Sequence, residues 1–287
     1  MKHRIRIGPA GWSYDDWKGI VYPKGAGSNF DELAYIAGFF DTIEINSSFY
    51  RPPTARMSAS WARRVEHNSD FKFTAKLYKR FTHERGKATS ADERVYRAGI
   101  DPLAKANRLG ALLLQFPWSF KNTDDNRDYL RALIERFNDY PKVVELRHAS
   151  WNKPEIYEML EESSTGFCNI DQPLFARSIK PSARTTSRIG YVRLHGRNYE
   201  NWFSENASPA DRYDYLYSLE ELKPWIENIK KVAASARETY VVTNNHFRGK
   251  GVVNALEIKS GLAGEKVAGP ASLIEEYPRV KESIIPK

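Results

Sequence analysis

Residues 111–147 contain the stretch that decides the fold, because a strand, an amphipathic helix and a second strand follow one another directly. The strand candidate at 111–116 reads ALLLQF and the one at 143–147 reads VVELR, each short and bounded by polar or turn residues. Between them, Thr123 precedes apolar residues at helical spacing, namely Leu130, Leu133, Ile134 and Phe137. This order predicts two parallel strands joined by a right-handed crossover.

The same alternation continues through the whole chain of 287 residues. Eight strands are predicted, at Arg4–Gly8, Thr42–Asn46, Lys72–Lys76, Ala111–Phe116, Val143–Arg147, Gly166–Ile170, Tyr191–His195 and Tyr240–Thr243. Eight strands and this length are typical of an α/β fold with a (β/α)8 TIM-type barrel, here a single domain over 1–287. An open doubly wound sheet gives the same alternation, but residues 8–12 lack the G-x-G-x-x-G spacing of its dinucleotide-binding form.

Composition and charge narrow the class of protein. Hydrophobic residues make up 41% and aromatic residues 13% of the chain, which indicates a folded globule. A formal charge of +8 favours acidic partners such as nucleic acid or phosphorylated metabolites, although a surface rich in both signs also aids solubility. Cys168 is the single cysteine, and no stretch approaches the roughly 20 apolar residues of a membrane helix. We therefore expect a cytoplasmic protein without a membrane partner.

Polar residues follow or end most of the predicted strands. In a barrel of parallel strands the carboxyl ends of all strands meet at one mouth, and the active sites of such barrels lie there. We therefore expect the site at this mouth. Period-two alternation puts Glu44 and Asn46 on one face of their strand. The candidates for catalytic chemistry are Glu44, Glu145, Asp171, His195 and His148. The candidates for substrate binding are Asn46, Tyr50, Lys76, Gln115, Arg147, Trp151, Arg193, Asn244, Asn245 and His246.

Three interpretations of these groups are open. Carboxylates and imidazoles are the ligands of hydrolytic zinc and manganese sites, so Glu44, Glu145, Asp171 and His195 are candidate ligands of a divalent metal, although no H-x-H or H-E-x-x-H spacing accompanies them. Metal-free chemistry is the second, with a carboxylate as base, a histidine as acid, and the lysine and arginines holding an anionic oxygen. The third is structural, because these cations can neutralise the carboxylates in a salt-bridged barrel layer.

Several blocks of the sequence together resemble the YecE-like family, Domain of Unknown Function 72. The blocks are GWSY at 11–14, EINSSFY at 44–50, LLLQFP at 112–117, VELRHASW at 144–151, YVRLHGR at 191–197 and NNH at 244–246. The resemblance runs from about Ile7 to Ala255. It implies a TIM-barrel-like fold with a pocket lined by these blocks, and it implies no particular reaction. Val242 and Thr243 precede the Asn pair here, where similar proteins often have an aromatic residue.

A basic loop follows the third strand and would lie on the rim of the mouth. Residues 76–87 read KLYKRFTHERGK, with five Lys or Arg residues, one Glu and two interleaved aromatic residues. Cations pair with phosphates and exposed aromatic rings stack on bases, so this loop is a candidate nucleic-acid surface. The alternative is a solvated loop whose Tyr78 and Phe81 pack into the core.

Three functions are consistent with the sequence. The first is an enzyme acting on a phosphate-containing substrate, such as a nucleic-acid phosphodiesterase that uses a divalent metal. The second is a metal-free isomerase or lyase for a small sugar-like substrate, which predicts an aromatic-capped pocket too small for a polymer. The third is a non-catalytic nucleic-acid-binding protein, whose binding depends steeply on salt. The oligomeric state is not indicated by the sequence.

Overall fold

The computed structural model describes residues 3–200, 202 and 209–287. Within these residues eight parallel strands form one sheet in the order β1-β8-β7-β6-β5-β4-β3-β2. The strands are β1 Arg4–Pro9, β2 Thr42–Ile45, β3 Lys72–Lys76, β4 Leu109–Gln115, β5 Lys142–Glu145, β6 Gly166–Asp171, β7 Ile189–Leu194 and β8 Glu238–Thr243. All eight predicted strands are present, with ends that differ by two residues or fewer. The predicted TIM-type barrel is confirmed.

The ring closes between β1 and β2 through a short contact rather than a full ladder. Ala10 pairs with Glu44 in a single parallel bridge, and the Gly11 amide donates to the Glu44 carbonyl oxygen at 2.9 Å. The two backbones approach so closely at Gly8 that a Cβ atom there would lie 1.8 Å from the Thr42 carbonyl oxygen. Glycine at position 8 therefore permits the closure of the barrel.

Helices on the outside of the barrel connect the strands. Their bounds are α1 Glu32–Ala37, α2 Ser47–Tyr50, α3 Ala55–Arg64, α4 Ser90–Lys105, α5 Asp124–Arg136, α6 Pro154–Glu162, α7 Pro209–Arg212, α8 Leu219–Ser235, α9 Lys250–Ala263 and α10 Leu273–Glu276. The Thr123 hydroxyl accepts from the Asn126 amide at 3.3 Å and so caps α5. Two strands after α9, β9 Val267–Gly269 and β10 Ile284–Pro286, form a separate small sheet that the sequence did not predict.

The interior of the barrel is polar as well as apolar. The Tyr191 hydroxyl lies 2.9 Å from Glu44 Oε2 and 2.8 Å from Thr74 Oγ1, within the ring of strands. Cys168 is fully buried, and burial raises the pKa of its thiol well above the ordinary value, so it remains a small packed thiol. None of the helices in the described ranges is both long and apolar enough to span a bilayer.

Candidate functional site at the barrel mouth

Arg193, near the end of β7, joins two carboxylates across the barrel. Its Nη2 donates to Glu44 Oε1 at 2.6 Å, and its Nη1 donates to Glu145 Oε2 at 2.5 Å. All three side chains are fully buried. Burial alone would raise the pKa of Glu145, but Arg193, Arg147 and His195 hold it well below its ordinary range. The salt-bridged layer that the sequence left open is therefore present in the barrel.

His195 lies next to this ion pair and connects it to the mouth. Its Nε2 is 3.2 Å from Glu145 Oε1, and its Nδ1 is 3.1 Å from Asn244 Nδ2. Burial lowers the pKa of His195 to about 3, so the imidazole is neutral at pH 7. The network then assigns the proton to Nε2, which donates to Glu145, while Nδ1 accepts from Asn244. Arg147 Nε also donates to Glu145 Oε1, at 2.8 Å.

Lys76, the last residue of β3, brings an amine to the same place. Its Nζ lies 4.3 Å from the centroid of the Phe49 ring. Within the described residues, no carboxylate or other acceptor pairs with this nitrogen. Burial and the neighbouring Arg193 lower the pKa of Lys76 to about 7, although Glu44 and Glu145 oppose the shift. A substantial fraction of Lys76 is therefore a neutral amine at physiological pH.

A cavity of about 440 Å³ lies over these groups. The Tyr14 and His246 rings stack with centroids 4.5 Å apart and form one wall, and the Tyr213 ring lies 5.2 Å from His246. Asn46 Nδ2 donates to Asn244 Oδ1 at 3.5 Å, at the limit of a hydrogen bond. The lining is mainly aromatic with a few amides and one amine, and it consists of Gly11, Trp12, Ser13, Tyr14, Asn46, Ser47, Tyr50, Lys76, Tyr213, Asn244 and His246.

Two polar atoms of the cavity walls have no hydrogen-bond partner within the described part of the chain. They are Asn46 Oδ1 and His246 Nδ1, and both are buried. Burial lowers the pKa of His246 to about 4, so its ring is neutral at pH 7. Buried polar atoms in native proteins are usually satisfied by protein, water or a ligand. Asn46 and His246 both line the cavity, but these two atoms expose almost no surface to it.

Gly11 shapes the first wall of the cavity. Its φ of +77° lies in the left-handed region, which glycine adopts without strain. A Cβ atom at this position would lie 2.3 Å from the Tyr14 hydroxyl, so the ring folds directly over the glycine. The Tyr14 hydroxyl donates to the Ala10 carbonyl oxygen at 2.9 Å and fixes that arrangement. The backbone conformation and the Tyr14 ring thus both require glycine as the first residue of the GWSY block.

Comparison with known proteins identifies the family. The model of the family described as "Protein of unknown function DUF72" matches residues 6–276. The chain belongs to the DUF72 family. It is 29% identical over 280 residues to the UPF0759 protein YunF of Bacillus subtilis, and the match covers 90% of this chain and 97% of YunF. The resemblance seen in the sequence is confirmed.

Solved structures of the DUF72 family share this fold. A DUF72 protein from Thermotoga maritima is 35% identical, with a TM-score of 0.79, covering 91% of this chain and 100% of that one. One from Enterococcus faecalis is 24% identical, with a TM-score of 0.80, covering 90% and 95%. The O-GlcNAc hydrolase of Thermobaculum terrenum is 8% identical, with a TM-score of 0.50, covering 98% and 63%, and is similar in fold alone.

Two predicted site residues of this DUF72 protein face away from the barrel interior. Asp171 is buried but binds Arg197, whose Nε donates to Asp171 Oδ2 at 2.9 Å. Asn245 Nδ2 donates to the Tyr215 carbonyl oxygen at 2.7 Å and to Asn254 Oδ1 at 2.8 Å. Side chains point alternately to the two faces of a strand. Cys168 points into the barrel, near Glu145, so Asp171, three residues later, points outward.

Two further predicted residues support the loop after β5. His148 Nδ1 accepts from the Ser150 amide at 3.1 Å and thereby caps a short 3-10 helix at Ala149–Trp151. Trp151 is fully buried, and its Nε1 donates to the Phe120 carbonyl oxygen at 2.6 Å. Gln115, in contrast, belongs to the central network, because its Oε1 lies 3.3 Å from Arg193 Nη1. The other predicted residues line the cavity or lie beneath it.

The basic loop of the DUF72 chain makes mostly internal contacts. Phe81 is fully buried, and its ring packs against that of Phe137. Lys79 pairs with Glu84 at 2.8 Å, and Arg80 pairs with Asp92 at 2.9 Å. Cations already paired with carboxylates, and a buried ring, favour the alternative in which this loop packs on the barrel. The nucleic-acid surface stays a prediction.

The predicted divalent-metal site has no matching arrangement in the described residues. Among them, no group of three or more His, Cys, Asp or Glu side chains is placed to hold a metal ion. Glu44 and Glu145 bind Arg193, and Asp171 points to Arg197. The metal therefore stays a prediction without added support.

Several cavity residues were not among the predicted substrate-binding candidates. Tyr213 belongs to the long connection between β7 and α8, where no motif marks it. Trp12 and Tyr14 were recognisable in the GWSY block but were equally compatible with packing. Trp12 has both a cavity-lining and a packing role, because it lines the cavity and its ring packs edge-on against that of Trp61, with centroids 5.4 Å apart.

Proposed function

We propose that this DUF72 protein is a metal-free isomerase or lyase that acts on a small, sugar-like substrate in the mouth cavity. The observation that carries the proposal is an aromatic-lined cavity of about 440 Å³ whose polar atoms converge beside the amine of Lys76. Ligand pockets for small molecules typically measure roughly 300–1,000 Å³ and combine apolar walls with a few placed polar groups. The proposal corresponds to the second function considered from the sequence.

The walls suit a compact, hydroxylated molecule. The Tyr14 and Tyr213 rings offer flat apolar surfaces, while Asn46 and Asn244 offer amide donors and acceptors for hydroxyl groups. A site that hydrogen-bonds substrate hydroxyls discriminates strongly against analogues that lack them, since its buried polar atoms are then left unpaired. His246 adds a flat ring that is neutral at pH 7 to the same wall.

The carboxylates support catalysis indirectly in this proposal. Glu44 and Glu145 hold Arg193 across the barrel, and a metal ion could bind them only by displacing that guanidinium. Leaving a buried charge uncompensated costs on the order of 3–5 kcal/mol. The cluster instead provides fixed charges below the cavity, which can stabilise charge that develops on a substrate oxygen. A phosphodiesterase reaction through these carboxylates gains no support from this arrangement.

Solvent exchange tests the proposal without knowledge of the product. The protein is incubated in D₂O with EDTA and each member of a panel of small aldoses and ketoses, and NMR follows deuterium entry at the carbon beside the carbonyl. We expect protein-dependent exchange in at least one sugar, abolished in Lys76→Met. Thermal-shift measurements on the same panel report binding separately. No exchange and no binding with any panel member would refute the proposal, and metal-dependent cleavage of an oligonucleotide would then favour the phosphodiesterase.

A further inference from the structure

We infer that Lys76 is a covalent catalyst, whose amine forms an imine with the aldehyde or ketone carbon of the substrate. This inference rests on the proposed function and assigns the substrate to the class of carbonyl compounds. The placement of the amine carries it. Lys76 ends β3 at the barrel mouth, its side chain lines the cavity, and no acceptor within the described ranges occupies its Nζ.

The surroundings of Lys76 favour the neutral, nucleophilic amine. Nζ lies over the face of Phe49, an apolar surface that replaces water on one side. The guanidinium groups of Arg193 and Arg147 disfavour a further positive charge nearby, and burial acts in the same direction on the pKa of Lys76. Lysines that form imines with carbonyl substrates are activated in this way, by desolvation or by a neighbouring cation.

The step balances without a further reagent. The amine nitrogen attacks the carbonyl carbon, and its two hydrogens leave with the carbonyl oxygen as water. Protonation of the imine gives a cationic nitrogen that accepts the electron pair of a bond at the adjacent carbon. When that bond is C–H, its proton passes to water, and return of a proton to the other face inverts the carbon. When that bond is C–C, the hydroxyl on the next carbon loses its proton and that fragment leaves as a carbonyl compound, after which the first carbon takes up a proton. Addition of water to the iminium carbon then releases the product and restores the amine, so epimerisation and C–C cleavage both follow from this intermediate.

Lys142 is a matched internal control. Lys142 is buried and Lys76 is partly buried, and burial lowers the pKa of both, but Lys142 begins β5 and therefore lies at the opposite end of the barrel. A lowered pKa is thus common to both lysines, whereas the cavity is specific to Lys76. Exposed lysines provide a second control, because with an ordinary pKa of about 10.4 only roughly one in 2,500 is neutral at pH 7.

Reductive trapping tests the inference. The whole chain is incubated at pH 7 with glyceraldehyde and sodium cyanoborohydride, which converts an imine into a stable secondary amine, and peptides are mapped by mass spectrometry. We expect Lys76 to be labelled at least about tenfold faster than any exposed lysine, because its free-amine fraction is far larger, and faster than Lys142, because only Lys76 lines the cavity. Lys76→Arg should lose this label, while Lys142→Met should keep it. Labelling spread evenly over surface lysines would overturn the inference.

A second readout separates this inference from the proposed function. The thermal shift with the sugar panel reports occupation of the cavity, whether or not an imine forms. Sugar binding and deuterium exchange without trapping at Lys76 would overturn the imine and leave the metal-free enzyme standing. Neither binding nor trapping would overturn both. Trapping at Lys76 that is suppressed by a non-carbonyl polyol such as glycerol would support both.

Discussion

Replacing Arg193 by methionine tests the central claim about the barrel interior. Arg193 holds Glu44 Oε1 at 2.6 Å and Glu145 Oε2 at 2.5 Å, and all three side chains are fully buried. Methionine fills much of the same space but leaves the two carboxylates without that cation. Removing one partner of a buried ion pair costs roughly 3–5 kcal/mol, and here one change takes the paired cation from Glu44 and leaves Glu145 with Arg147. We expect a loss at the upper end of that range at pH 7.

The pH dependence of this loss has a definite sign. In the native protein the pKa of Glu145 is held well below its ordinary value, so its contribution to stability is present above about pH 4.3 and is lost as pH falls further. Without Arg193, burial outweighs the remaining Arg147 and raises the pKa of Glu145. A raised pKa favours folding at low pH, so the deficit of Arg193→Met should shrink between pH 7 and pH 5.

Urea unfolding followed by tryptophan fluorescence at both pH values measures the difference directly. The triple variant Arg193→Met, Glu44→Gln, Glu145→Gln is the control, and it should recover much of the stability because the stranded charges are gone. Arg147→Met is a second control, since Arg147 is partly exposed and Arg193 still pairs with Glu145. A loss below about 1 kcal/mol for Arg193→Met, with unchanged pH dependence, would refute the ion-pair argument.

Three further predictions concern the cavity and its neighbours. Asn244→Ala should weaken sugar binding by about tenfold or more and also lower the melting temperature, because it leaves the buried His195 Nδ1 without its donor. Asn245→Ala should lower the melting temperature but keep binding in the folded protein. Equal binding by the two variants in a thermal-shift titration would contradict this. Gly11→Ala should cost about 1–2 kcal/mol in urea unfolding and weaken binding, because it strains a left-handed residue and displaces Tyr14; wild-type values would contradict it. The pKa of His195 falls to about 3 on folding, so the wild-type protein loses stability as pH drops from about 6.5 to 4, because the unfolded chain takes up a proton that the folded protein does not. His195→Gln should make the free energy of unfolding depend less on pH over this range. An unchanged dependence in unfolding titrations would show that the imidazole is not neutral in the folded protein.

The fold was largely predictable from local patterns. Short apolar runs alternating with helical stripes predicted all eight strands of the barrel, because strand and helix periodicities are properties of neighbouring residues. The small β9 and β10 sheet escaped prediction, since three-residue strands carry no periodicity. The location of the site followed as well, because the carboxyl ends of parallel strands must meet at one mouth.

The sequence by itself therefore determined the barrel and the pool of polar residues near its mouth. The tertiary structure decided which of them meet, since Arg193 contacts Glu44 from 149 residues away, and such a contact has no local signature. It also decided direction, because successive side chains of a strand point to opposite faces, and in the folded barrel Asp171 points outward to Arg197. Finally, only closure of the ring buries Lys76 beside two guanidinium groups, and that burial changes the chemistry of its amine.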